Sequence, residues 1–122
     1  MQVVLEDLGG QPLLQVSGEV DHSSSPRLFQ AVDEALRDDA THILLINLAG
    51  CPYLDSGGVR VLLEGLRRVK PAGWMGVIAP DPQVFRILKM VGLTIDPHFR
   101  TFVDVDDART ALEELEHVEG RC

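Results

Sequence analysis

Leu54-Asp55-Ser56-Gly57-Gly58-Val59-Arg60-Val61-Leu62-Leu63-Glu64-Gly65-Leu66 is the stretch where the chain changes its period. Before it, Ile43-Leu44-Leu45-Ile46-Asn47-Leu48 is apolar without alternation, bounded by His42 and by Ala49-Gly50-Cys51-Pro52. Such a run reads as a strand covered on both faces, as strands of parallel sheets are. After it, Val59, Leu62, Leu63 and Leu66 recur at helical spacing. The pattern predicts a helix from near Ser56 to about Lys70, stopped by Pro71 and Gly73. Ser56 stands at the join, where a serine can cap the helix, attack a substrate, or receive a modification.

Working outward, Val3-Val4-Leu5 and Leu13-Leu14-Gln15-Val16 flank Gly9-Gly10-Gln11-Pro12, the signature of a hairpin. Gly18-Glu19-Val20-Asp21 then leads to Ser23-Ser24-Ser25-Pro26, a helix start, with Leu28, Phe29, Val32, Ala35 and Leu36 as its apolar face. Beyond the central helix, Trp74-Met75-Gly76-Val77-Ile78-Ala79 reads as a second buried strand. Asp81-Pro82 opens a helix striped by Val84, Ile87, Leu88 and Val91, and Gly92 is placed to end it in the left-handed region. Phe99 to Val103 is a further strand. Asp106 or Asp107 is expected to cap a last helix, with Ala108, Ala111, Leu112 and Leu115 inward and Glu113, Glu114 and Glu116 outward. The order β-β-α-β-α-β-α-β-α calls for right-handed crossovers. The fold class expected is therefore α/β, a mixed, mostly parallel sheet opened by a β-hairpin, with about four helices.

A chain of 122 residues with 45% hydrophobic and 25% charged residues suits one soluble domain, 1–122, with an ordered core over about 2–118 and a tail at 119–122. The N-terminus lacks the basic and apolar blocks of a signal peptide, and no run reaches the roughly 20 apolar residues of a membrane span. These features point to a cytoplasmic protein without a membrane partner. A net charge of −8 argues against direct nucleic-acid binding and would suit a basic partner surface. Arg67, Arg68 and Lys70 cluster where cations complement a helix dipole. Cys51 reads as a buried thiol and Cys122 as a terminal residue; two cysteines make no disulfide framework. His22, His42, His98 and His117 match no ligand spacing, so no metal is expected.

Enzyme chemistry fits poorly. A nucleophile elbow requires glycine two residues before the serine, where this chain has Leu54. A P-loop lysine and a dinucleotide fingerprint are absent, and helix capping accounts for Asp104-Val105-Asp106. A receiver-type phosphoaspartate at Asp55, with Asp21, lacks the adjacent acidic pair and the late lysine such a site uses. Two readings of Ser56 stay open: a plain cap with turning glycines, or a serine that receives phosphate. A helix N-terminus favours the second, because its amides and dipole stabilise an anion. On that reading Gly57 and Gly58 bare the turn and leave amides free, and Asp21 and Asp55 make the spot acidic.

Gly18-Glu19-Val20-Asp21, the helix opening at Pro26, the buried strand, Asp55-Ser56-x-Gly58, Pro80 with the helix to Gly92-Leu93, and Phe102-Val103 before Asp107-Ala108-x-x-Ala111-Leu112 together resemble the anti-anti-sigma factor family of STAS domains. The resemblance implies a non-enzymatic regulator, without cofactor, in a bacterial partner switch. The unmodified protein would bind an anti-sigma factor that is also a serine kinase and so free a sigma factor. Phosphorylation of Ser56 would end that binding, and a PP2C-type phosphatase would restore it. Asp21 and Asp55 match the family aspartates near and before the acceptor. The partner surface expected around Ser56 includes His22, Ser23, Ser24, Gly57, Gly58 and Arg60. Members of the family commonly carry serine or threonine where this chain has Gly57, which implies one hydroxyl contact fewer to the kinase. STAS domains also serve as scaffolds of stress-sensing complexes and as accessory subunits of lipid-transport assemblies, without a phosphorylation switch.

Overall fold

The structure, a computed structural model, describes residues 1–38, 41–70 and 72–119, with side chains as far as Leu115. Pro71 as a helix stop, the outward placement of Glu116, His117 and the terminal Cys122 lie outside the described residues or side chains. The elements are β1 (Gln2–Leu8), β2 (Gln11–Ser17), α1 (Ser25–Ala35), β3 (Ile43–Gly50), α2 (Ser56–Val69), β4 (Trp74–Ile78), α3 (Pro82–Met90), a 3₁₀ turn (Leu93–Ile95), β5 (Phe99–Phe102) and α4 (Val105–Glu119). This is the order expected from the sequence.

One sheet runs β1-β2-β3-β4-β5, antiparallel between β1 and β2 and parallel thereafter. Each crossover steps one strand in the same direction, so the right-handed rule places α1, α2 and α3 on one face. Their residues Leu28, Val32, Leu62, Leu66, Val84 and Leu88 share a core with Leu14, Leu44, Ile46 and Met75. On the other face, Ala108 and Leu112 of α4 pack against Leu13, Ile43, Leu45, Ile78 and Phe102. Leu44 and Ile46 point one way and Ile43 and Leu45 the other, which is why β3 shows no alternation in its sequence.

Several local expectations shift. Phe29 and Val91, assigned to inward stripes, are exposed, and β5 ends at Phe102 with Val103 outside it. Pro26 is the second helical residue of α1, and its cap residue Ser24 makes no side-chain capping bond. The cap of α4 is Asp104, two residues before the earlier expected aspartate. Asp104 Oδ1 accepts from the Asp107 amide at 2.8 Å, and Asp107 Oδ2 accepts from the Val103 amide at 3.0 Å. These two bonds leave Asp106 and Asp107 in the first turn, where their charge faces the positive helix end.

The cations at the end of α2 are held by acids. Arg67 binds Glu64, Arg68 binds Asp33 and the Leu36 carbonyl, and Lys70 binds Asp96. The phase of α2 is testable by two neighbouring residues. Leu62 is fully buried and Leu63 is 44% exposed. In urea unfolding, Leu62→Ala is expected to cost about 2–5 kcal/mol and Leu63→Ala within about 0.5 kcal/mol; equal losses would contradict the packing.

Candidate functional site

The site is built where β2 and β3 continue past their regular ladder. The register shifts between Gln15 and Ser17, and the Gly18 amide, in a residue at φ +88, donates to the Gly50 carbonyl at 2.9 Å. The chains then meet once more. The Val20 amide donates to the Tyr53 carbonyl and the Asp55 amide to the Val20 carbonyl, each at 3.0 Å, closing a single parallel bridge between Val20 and Leu54. Both bridge residues are fully buried. Asp21 and Asp55, each one residue further on, therefore leave the sheet at the same end.

Asp55, not Ser56, caps α2. Its backbone is extended (φ −97, ψ −170), and its Oδ1 accepts from the Gly57 amide at 2.8 Å and the Gly58 amide at 3.3 Å. A cap needs non-helical backbone, which the bridge imposes on Asp55, whereas Ser56 is already the first helical residue. The two amides expected to be free are consequently occupied.

The glycines do not turn the chain either, since neither has positive φ. A Cβ on the buried Gly58 would lie 2.5 Å from Leu54 Cδ1 and 2.9 Å from Val20 Cγ1, so glycine lets the helix start rest on the bridge. A Cβ on Gly57 would lie 2.9 Å from Ser25 Oγ. Ser25 is buried at the start of α1, its hydroxyl donating to the His22 carbonyl at 3.3 Å. A hydroxyl from α1 thus fills the space that a side chain at position 57 would enter.

Asp21 organises its own loop. Its Oδ1 accepts from the Ser23 amide at 3.0 Å, the Ser23 hydroxyl at 2.7 Å and the Ser24 amide at 3.0 Å, while its amide donates to Ser24 Oγ at 2.9 Å. These bonds, the Ser23 hydroxyl foremost, hold the Asp21 carboxyl below the ordinary aspartate range.

Ser56 is exposed, and among the described residues its hydroxyl has no hydrogen-bond partner. Two grooves meet at Ser56 and Arg60. One, of about 460 Å³, lies between α1 and α2 and is lined by His22, Ser25, Phe29 and Gly57; the other, of about 440 Å³, lies between α2 and α3 and is lined by Tyr53, Leu63, Ile87 and Val91. His22 and Arg60 are therefore brought to Ser56. Ser23 instead lines a separate groove with Val3 and Leu5, and Ser24 is turned to Asp21.

The apolar residues Phe29, Tyr53, Leu63 and Val91 were not among the residues expected at this surface. No local signal separates them: Phe29 and Leu63 each adjoin the buried residue of their stripe, Leu28 and Leu62, and differ from it only in the phase of the helix. Cys51 is buried with its Sγ on the Tyr53 carbonyl at 3.2 Å, and burial pushes the thiol up, away from the reactive thiolate. Among the described residues, no cluster of three His, Cys, Asp or Glu side chains is placed to hold a metal ion, and no helix is long and apolar enough to cross a membrane.

Comparison with known proteins places this geometry. A family model described as STAS domain matches residues 2–108. The chain belongs to the STAS domain family. It is 30% identical over 119 residues to the anti-sigma F factor antagonist of Paenibacillus polymyxa, covering 97% of each chain. It is 29% identical over 110 residues to the anti-sigma-F factor antagonist RsfB of Mycobacterium tuberculosis, covering 90% of this chain and 88% of that one. The crystal structure of an anti-sigma factor antagonist from Mycobacterium paratuberculosis superposes with a TM-score of 0.80 at 30% identity, covering 92% of this chain and 93% of that one.

In this STAS domain the division of labour between neighbours is measurable. Asp55→Ala is expected to lower stability to urea by about 1 kcal/mol, the value of a lost N-cap. Ser56→Ala should cost under about 0.5 kcal/mol, as for other exposed sites. The reverse ranking would return the cap to Ser56.

Proposed function

We propose that this STAS domain is an anti-sigma factor antagonist whose binding is switched at Ser56. The unmodified chain binds an anti-sigma factor over the face where the two grooves meet, and so frees a sigma factor. The anti-sigma factor, acting as a serine kinase, transfers the γ-phosphoryl group of ATP to the Ser56 hydroxyl. The phosphorylated chain lets go, and a PP2C-type phosphatase hydrolyses the phosphoserine. The chain itself is a non-enzymatic, cytoplasmic binding module.

The observation that carries this reading is the exposed and unbonded Ser56 hydroxyl on the crest between two partly apolar grooves. The similarity to anti-sigma factor antagonists over nearly the whole chain supports it. Phosphorylation would place about −1.5 to −2 charges at the centre of such a face. Asp55 already supplies a negative group to the Gly57 and Gly58 amides, so the added charge meets repulsion as well as the favourable dipole. A partner surface fitted to the neutral serine would lose affinity, while the buried bridge beneath is untouched. The substitution at Gly57 changes what the kinase meets. The space a side chain at position 57 would enter holds the Ser25 hydroxyl of α1 instead.

Incubation with the cognate anti-sigma kinase and ATP is expected to add one phosphate per chain by intact-mass measurement, and none to Ser56→Ala. A phosphate still gained by Ser56→Ala, or none gained by the unaltered chain from a kinase shown to be active, would refute the switch.

A further inference from the structure

We propose that Arg60 is the intramolecular counter-charge of a phosphate on Ser56, so that phosphorylation both adds negative charge and withdraws the arginine from the partner-facing surface. The inference rests on the reading that Ser56 carries the phosphate. Its physical basis is the supply of positive partners around that hydroxyl.

Two of the backbone donors at this helix end are already taken. The Gly57 and Gly58 amides, which a phosphate at this helix end would otherwise take, are already committed to Asp55 Oδ1. A side chain can supply the positive charge in their place. Ser56 and Arg60 are four residues apart in α2, which puts them on neighbouring turns of one helix face. Both are exposed, and both line both grooves.

Arg60 is also available. Among the described residues it makes no ion pair or hydrogen bond. Its natural helical partner, Glu64, is four residues on, but Arg67 has taken both of its oxygens: Arg67 Nε binds Oε2 at 3.1 Å and Nη2 binds Oε1. Arg67 accordingly holds the Glu64 carboxyl below its ordinary value. A guanidinium presents paired N–H groups that match two phosphate oxygens, so a free arginine one turn away is suited to the task.

The other charged or titratable groups around the hydroxyl are His22 and Glu64 in the α1–α2 groove, Tyr53 and Asp55 in the α2–α3 groove, and Asp21 in the adjoining loop. The carboxylates would disfavour the dianionic phosphate. Arg60, and His22 when protonated, would favour it.

The pair is tested with phosphoserine installed at position 56 during translation, independently of any kinase, and titrated by phosphorus NMR. The second pKa of the phosphate is expected to lie a few tenths of a unit lower in the native background than in Arg60→Gln, the scale of an exposed charge pair. Arg60→Lys should recover part of the shift, and about 1 M salt should shrink it. Unchanged thermal unfolding of unphosphorylated Arg60→Gln would show that the fold is intact. Identical titrations in the native and Arg60→Gln chains would overturn the pairing without touching the kinase assay; a shift seen here alongside a failed kinase assay would support the pairing while refuting the switch.

Discussion

The single parallel bridge between Val20 and Leu54 is the constraint on which the site depends. Two backbone hydrogen bonds of 3.0 Å draw the loop after β2 and the loop after β3 together beyond the end of the regular ladder. Both side chains are sealed from water, and Gly58 lets the first turn of α2 come down on them. The bridge fixes Asp55 in the extended conformation a cap requires and aims Asp21 out of the same sheet end. A larger residue at position 58 would lift the helix off this seat and move Ser56 with it.

Above the bridge, the hydrogen bonding divides the polar groups into those already satisfied and those left over. Asp55 satisfies two helix amides, Asp21 binds Ser23 and Ser24, and Arg67 occupies Glu64. The Ser56 hydroxyl and the Arg60 guanidinium have no partner among the described residues, and both face the grooves. Such an arrangement suits a switch that works by charge at a surface rather than by rearranging the fold. Buried Cys51, with its thiol pushed up by desolvation, belongs to the support beneath and has packing as its physical role.

Much of this was legible in the sequence because the apolar periods are strong. The unalternating β3 run, the buried stripe residues Leu28, Val32, Leu62, Leu66, Val84 and Leu88, and Gly92 at φ +83 fall where pattern and chain sterics place them. The helix starts were less legible, because several neighbouring residues at each could serve as cap and only backbone geometry chooses among them. Asp55 prevailed over Ser56 through a long-range bridge that no local pattern reveals. Asp104 prevailed over Asp106 and Asp107 by accepting from the Asp107 amide, while the Asp107 carboxylate accepts from the Val103 amide. Gly57 and Gly58 looked like turn residues from sequence alone. Their actual constraint is close approach, to Ser25 in one case and to Leu54 and Val20 in the other. The exposed apolar residues at the grooves were hidden for a similar reason, since Leu63 beside Leu62 is distinguished only by the phase of the helix against the sheet.

Calorimetric titration of the anti-sigma factor with the unmodified chain and with the chain fully phosphorylated at Ser56 measures the switch itself. Binding is expected to weaken at least about tenfold with the phosphate, equivalent to about 1.4 kcal/mol, with the two chains unfolding at closely similar temperatures. Equal affinities for the two forms would contradict it.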